Sequence, residues 1–141
     1  MCSRMLIFGF LICGLSACVS SPSRSDGFDV CTAGQECTAE GVLSLHAGQP
    51  PAWVALLEVD DKCAKLALPD EFYRDRQQWD GKKVTVTGRA FVQPSFDESN
   101  GMVTLWYTER DRKLALGMCD HGIGIYVESM RSSSGTEWPV P

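Results

Sequence analysis

"LPDEFYRDRQQWDGKKVTVTGRA", residues 68–90, changes its hydrophobic period halfway along, and that change decides the fold. In its first half Leu68, Phe72 and Trp79 return at spacings of four and seven, the stripe of a helix. Pro69 suits a first helical turn, Asp70 and Glu71 complement the positive end of the helix dipole, and Gly81 suits the helix end. In the second half Val84, Val86, Gly88, Ala90 and Val92 alternate with Thr85, Thr87, Arg89 and Phe91, the two-residue period of a half-buried strand. One short helix therefore interrupts a run of strands.

Upstream, "TAEGVLSLHAG" places Ala39, Gly41, Leu43 and Leu45 on one face and Glu40, Val42, Ser44 and His46 on the other, a strand signature. "WVALLEV", Trp53 to Val59, is apolar on both faces, as a central strand is. Asp60-Asp61-Lys62 reads as a turn into a third strand, Cys63 to Leu68. Downstream, the loop "QPSFDESNG" ends in Asn100-Gly101, a hairpin signal, so "MVTLWYTER" is expected to run back along the preceding strand. "KLALGMC" and "GIGIYVESM" supply the tail of a bent strand and a last strand.

This order, β-β-β-α-β-β with an extra strand, resembles the OB-fold, and "GKKVTVTG" with "GIYVES" is similar to small exported bacterial proteins of that fold. The resemblance covers residues 38–130 and implies a mainly β chain built as a small OB-fold-like barrel. In such a barrel the loops after the first and fourth strands flank the usual ligand face, here "AGQPP" and "QPSFDESNG". Phe91, Phe96, Trp106 and Tyr107 lie in or near the second loop and are the candidate ligand contacts. Trp106 and Phe91 are equally suited to filling a barrel end, since large aromatic side chains serve packing first.

The N-terminus sets the compartment. After Arg4 the stretch Met5–Ala17 carries no charge, yet at 1.5 Å per helical residue it falls short of a hydrocarbon layer of ~30 Å. It reads as a signal peptide, residues 1–17. "LSAC", residues 15–18, resembles the lipobox of bacterial lipoproteins, which implies cleavage before Cys18, lipid on its thiol and an acyl chain on the new amino group. Two or more acyl chains give stable anchoring where one gives only a transient hold. Val19 rather than aspartate follows the cysteine, so the outer membrane is the expected destination within the cell envelope. Residues 18–30, rich in Ser, Pro and Gly, read as anchor and tether, 31–130 as the barrel domain, and 131–141 as a loose tail.

An exported chain changes the reading of its cysteines. Of seven, Cys2 and Cys13 leave with the signal and Cys18 takes lipid, so Cys31, Cys37, Cys63 and Cys119 are expected in two disulfides, with three possible pairings. The short polar segment "TAGQE" favours Cys31 with Cys37, leaving Cys63 for Cys119.

Loss of Arg4 moves the formal net charge from −5 to about −6, which repels phosphate backbones and excludes nucleic acid as the expected partner. "MCDHGIGIY", residues 118–126, sets Cys119 beside His121, the residue types of a thiolate nucleophile and its base, and His46 is the remaining histidine. A disulfide at Cys119 removes that thiol, and the two histidines form no metal-ligand spacing. The reading is thus no catalytic residue, no metal and no cofactor: a lipid-anchored binding module with an envelope protein or glycan as partner. The alternatives are an inhibitor or immunity-type protein covering a basic envelope enzyme such as lysozyme, and an envelope enzyme using Cys119 and His121. The lipid anchor yields the first prediction: Cys18→Ser should abolish metabolic labelling with palmitate and move the chain from the membrane pellet to the soluble fraction.

Overall fold

The computed structural model describes residues 28, 31–47, 53–94, 106–119 and 122–141. Strands β1 (Glu36–Ala47), β2 (Trp53–Val59) and β3 (Lys62–Ala67) precede a helix (Asp70–Gln78), and β4 (Lys83–Val92), β5 (Trp106–Glu109), β6 (Arg112–Ala115), β7 (Ile123–Ser132) and β8 (Glu137–Trp138) follow it. The order β3-β2-β1-β4-β7 is closed by a parallel pairing of β3 with β7, and its other neighbours are antiparallel. This is the five-stranded OB barrel, with the helix between its third and fourth strands and β7 as its fifth.

The alternation read from sequence puts Ala39, Leu43, Ala55, Leu57, Leu66, Val84, Val86, Ile125 and Val127 into one core. One end of that core is plugged by rings. Phe72 meets Tyr73, Trp79 and Trp138 at centroid distances of 5.5, 5.7 and 5.7 Å. Trp53 stacks on Tyr73 at 5.7 Å, and the Arg76 guanidinium lies 4.7 Å from the Trp53 ring. Burial holds the Tyr73 phenol well above its ordinary range, with the Asp70 charge adding to the effect. The two disulfides join Cys31 to Cys37 and Cys63 to Cys119, with Cα separations of 5.1 and 6.1 Å.

Four local expectations are corrected. The helix is a 3₁₀ helix broken at Asp75, because three-residue turns such as Phe72 N–H to the Pro69 carbonyl bring both Phe72 and Tyr73 onto the barrel end. Of the stretch 102–110 expected to run back along β4, the described residues 106–109 do not pair with it; β4 lies between β1 and β7, and β7 pairs with it from Val84↔Ser132 to Val92↔Ile123. Residues 106–109 instead turn through Arg110-Asp111 and pair locally with β6, Arg110 adopting a φ of 57°. The Asn100-Gly101 turn lies outside the described residues. Thirdly, Val92 is exposed and Phe91 is buried, because Phe91 clusters with Leu114 of β6 and Ala67 of β3. Lastly, the segment 131–141 is not a loose tail: β8 pairs Trp138 with Met130 and Glu137 with Arg131, since the Trp138 ring has the Phe72 plug to pack on.

The tightest point of the barrel is the bulge between β4 and β7, where the register passes from Thr87↔Ser129 to Gly88↔Val127 and skips Glu128. A Cβ on Gly88 would stand 2.0 Å from the Tyr126 carbonyl oxygen, so the two backbones cross where only glycine fits. Gly88→Ala should therefore lower the unfolding free energy by ~1–3 kcal/mol, as overpacking does, read as a lower urea midpoint with an unchanged slope.

Candidate functional site

Residues of β2 and β3 that point away from the core form the face on which OB barrels ordinarily hold ligands. Here Val54 and Leu56 come from β2, and Lys65 and Ala67 from β3, alternating with the core residues Ala55, Leu57, Ala64 and Leu66. All four outward residues are nevertheless buried. The cover is the β5–β6 hairpin, inserted between the fourth and fifth barrel strands. Ala115 and Cys119 cluster with Val54, Leu56 and Cys63, while Leu114 clusters with Ala67 and Phe91, and Tyr107 and Tyr126 pack alongside. Lys65, only 1% exposed, donates from Nζ to the Ala115 carbonyl at 2.8 Å and lies 5.8 Å from the Tyr107 ring centroid. From Arg112 to Cys119 the chain thus runs along β3 in the opposite sense, from Ala67 to Cys63.

The hairpin is held at both ends, by different chemistry. At its base the Cys63–Cys119 disulfide ties it to the start of β3. At its tip three consecutive residues grip Tyr126 of β7. The phenol donates to Asp111 Oδ1 at 2.6 Å, and the guanidinium groups of Arg112 and Arg110 lie 3.9 and 4.7 Å from the ring centroid. This hydrogen bond holds the Asp111 carboxyl below the usual carboxylate range and the Tyr126 phenol above its own. Arg112 Nη1 also donates to the carbonyls of Ala67 and Val127, where the β3–β7 ladder of Leu66↔Ile125 and Ala67↔Tyr126 ends.

The four aromatic candidates part company here. Phe91 is buried beneath the hairpin, its ring lying where a Cβ on Gly124 would stand 2.4 Å from Cζ. Tyr107, half-buried, joins the same cluster. Trp106 remains 40% exposed, with Lys113 Nζ 5.2 Å from its ring centroid. Phe96 lies outside the described residues, as do Cys18 and His121. Cys119 is bonded to Cys63 rather than presented as a thiol, and His46 hydrogen-bonds through Nε2 to Ser44 Oγ at 2.7 Å on the outside of β1. Among the described residues no group of His, Cys, Asp and Glu is placed to hold a metal ion.

Sequence reasoning missed Lys65, Tyr126 and the Arg110-Asp111-Arg112 turn. The available signal was β2 itself: a strand apolar on both faces needs a second layer over its outer side, and 106–119 is that layer.

The tip contact has a pH signature. A carboxyl whose folded-state pKa is depressed contributes stability above its unfolded value of ~4, and that contribution is lost as pH falls through the folded value. The stability difference between the native chain and Asp111→Asn should therefore be largest near neutrality and shrink toward zero on acidification below ~4, read from urea midpoints in a pH series. A difference constant across that series would remove the Asp111–Tyr126 bond from the clamp.

No protein-family model, no curated protein and no solved structure matches this chain.

Proposed function

We propose that this chain is a non-catalytic module, lipid-anchored through Cys18 in the bacterial cell envelope, that binds an envelope protein or glycan through the outer side of its β5–β6 hairpin. The observation carrying this reading is the division of the tryptophans. Trp53, Trp79 and Trp138 belong to the core or pack against it, whereas Trp106 stands exposed beside Lys113. An indole next to an ammonium stacks on a sugar ring or fills a partner's apolar pocket, and tryptophan is over-represented among residues that dominate binding energy. The hairpin that carries it is joined to the barrel by the Cys63–Cys119 disulfide and by the Tyr126 contacts. The same disulfide engages the sulfur that a Cys/His enzyme would need as nucleophile.

A photo-crosslinking residue in place of exposed Thr108, next to an intact Trp106, tests the reading in living cells. It should capture a defined envelope component, and Trp106→Ala should weaken binding of that component about 30-fold, the loss of a central aromatic contact worth ~2 kcal/mol. Adducts sensitive to a muramidase indicate a glycan; adducts sensitive to a protease indicate a protein. Capture of a basic hydrolase that the module silences would move the assignment to the inhibitor, and adducts indifferent to Trp106 would remove the proposed surface.

A further inference from the structure

The hairpin occupies the β2–β3 face in the way a ligand would. Its second strand lies extended beside β3, the residues after it bend back to the Cys63–Cys119 disulfide, and each contact of the strand is of a kind that a separate peptide makes with a receptor. A guanidinium, Arg112, reaches two main-chain carbonyls, those of Ala67 and Val127, and stacks on Tyr126. Two residues on, Leu114 enters an apolar recess formed with Ala67 and Phe91. The next residue, Ala115, packs with Val54 and Leu56 while its carbonyl accepts from buried Lys65. An ammonium that is 1% exposed and aimed at a main-chain carbonyl is an unusual resident of a sheet face, since burying a charge is costly unless it is paired or hydrogen-bonded.

The two attachments of the hairpin differ in kind. Its base is covalent. Its tip is held by the Tyr126 hydrogen bond to the exposed Asp111 carboxylate, by two guanidinium groups over the Tyr126 ring and by the Arg112 hydrogen bonds to the Ala67 and Val127 carbonyls, interactions that open without breaking a bond in the chain. A hairpin pinned at one end and latched at the other is a strap.

We propose that the β2–β3 face is a binding site for extended peptides of the form Arg-x-Leu-Ala, and that the β5–β6 hairpin is its built-in competitor, hinged at Cys63–Cys119 and latched at Tyr126. The inference deepens the binding-module reading and rests on it. The partner segment displaces the strap, sets its arginine against Tyr126 and the carbonyls of Ala67 and Val127, its apolar side chain beside Phe91, and a main-chain carbonyl on Lys65. Because the strap stays tethered, it competes as an intramolecular ligand, so affinity for the partner is set by how firmly the latch holds. Trp106 moves with the strap, which couples the outer surface to the face beneath.

The test uses the full mature chain and the fluorescein-labelled peptide acetyl-RKLALGM-amide, which copies residues 112–118, followed by fluorescence anisotropy. Asp111→Ala with Arg112→Ala unlatches the strap and vacates the arginine position. The unlatched variant should bind the peptide at least ten-fold more tightly than the native chain. That gain should disappear with the AKLALGM analogue and when Lys65→Met is added to the variant. Hydrogen exchange on the native chain supplies a second measurement that needs no variant to fold: β5 and β6 amides should exchange at least a hundred-fold faster than those of β4 and β7. Equal peptide affinity in native and unlatched chains, or hairpin amides that exchange only with the barrel core, would overturn the strap. Either result leaves the Thr108 crosslink standing, so loss of this proposal is separable from loss of the binding-module reading.

Discussion

The whole molecule depends on a closure that is very short. β3 and β7 meet in parallel over only Leu66↔Ile125 and Ala67↔Tyr126, and without that seam the five strands are an open, curled sheet with two exposed edges. Parallel pairing is also slightly weaker per residue than antiparallel pairing. The structure extends the seam by two devices. Arg112 bonds the carbonyls of Ala67 and Val127 where the ladder ends, and β8 pairs with β7 further along at Met130 and Arg131. Both come from segments that lie outside the five barrel strands.

Closure and cover are therefore one problem. The hairpin that shields Val54, Leu56, Lys65 and Ala67 is the same element that sends Arg112 into the seam. Its docking residue, Tyr126, lies at the end of the seam and next to the bulge at Gly88, whose missing side chain makes room for the Tyr126 carbonyl. Packing, hydrogen bonding and backbone crowding thus converge on one short stretch of β7. The hairpin covers the apolar face and supplies the buried ammonium of Lys65 with the Ala115 carbonyl, which offsets part of the cost of burying that charge.

The other end of the barrel is organised by a different economy of side chains. Phe72, Tyr73, Trp79, Trp53 and Trp138 form a ring cluster under which the core is sealed. Trp53, Trp79 and Trp138 are engaged in this cluster or pack against the core, whereas Trp106, on the hairpin, is 40% exposed. An OB barrel whose ordinary ligand face is folded under its own insertion has moved its exposed aromatic surface onto that insertion.

Much of this was legible in local sequence because it is local physics. Alternation at β1 and β4, the stripe of Leu68, Phe72 and Trp79, and the short Cys31–Cys37 spacing depend on neighbours within a few residues, and they determined the strands, the helix position and the first disulfide. "LSAC" likewise set the expected compartment with no reference to the fold. Which strand lies beside β4, whether 131–141 is ordered, and what covers the apolar outer side of β2 are choices between distant segments with similar local patterns. Only the tertiary structure decided them, because a strand's partner, a tryptophan's burial and the company of a buried lysine are set by what the closed barrel brings within contact distance.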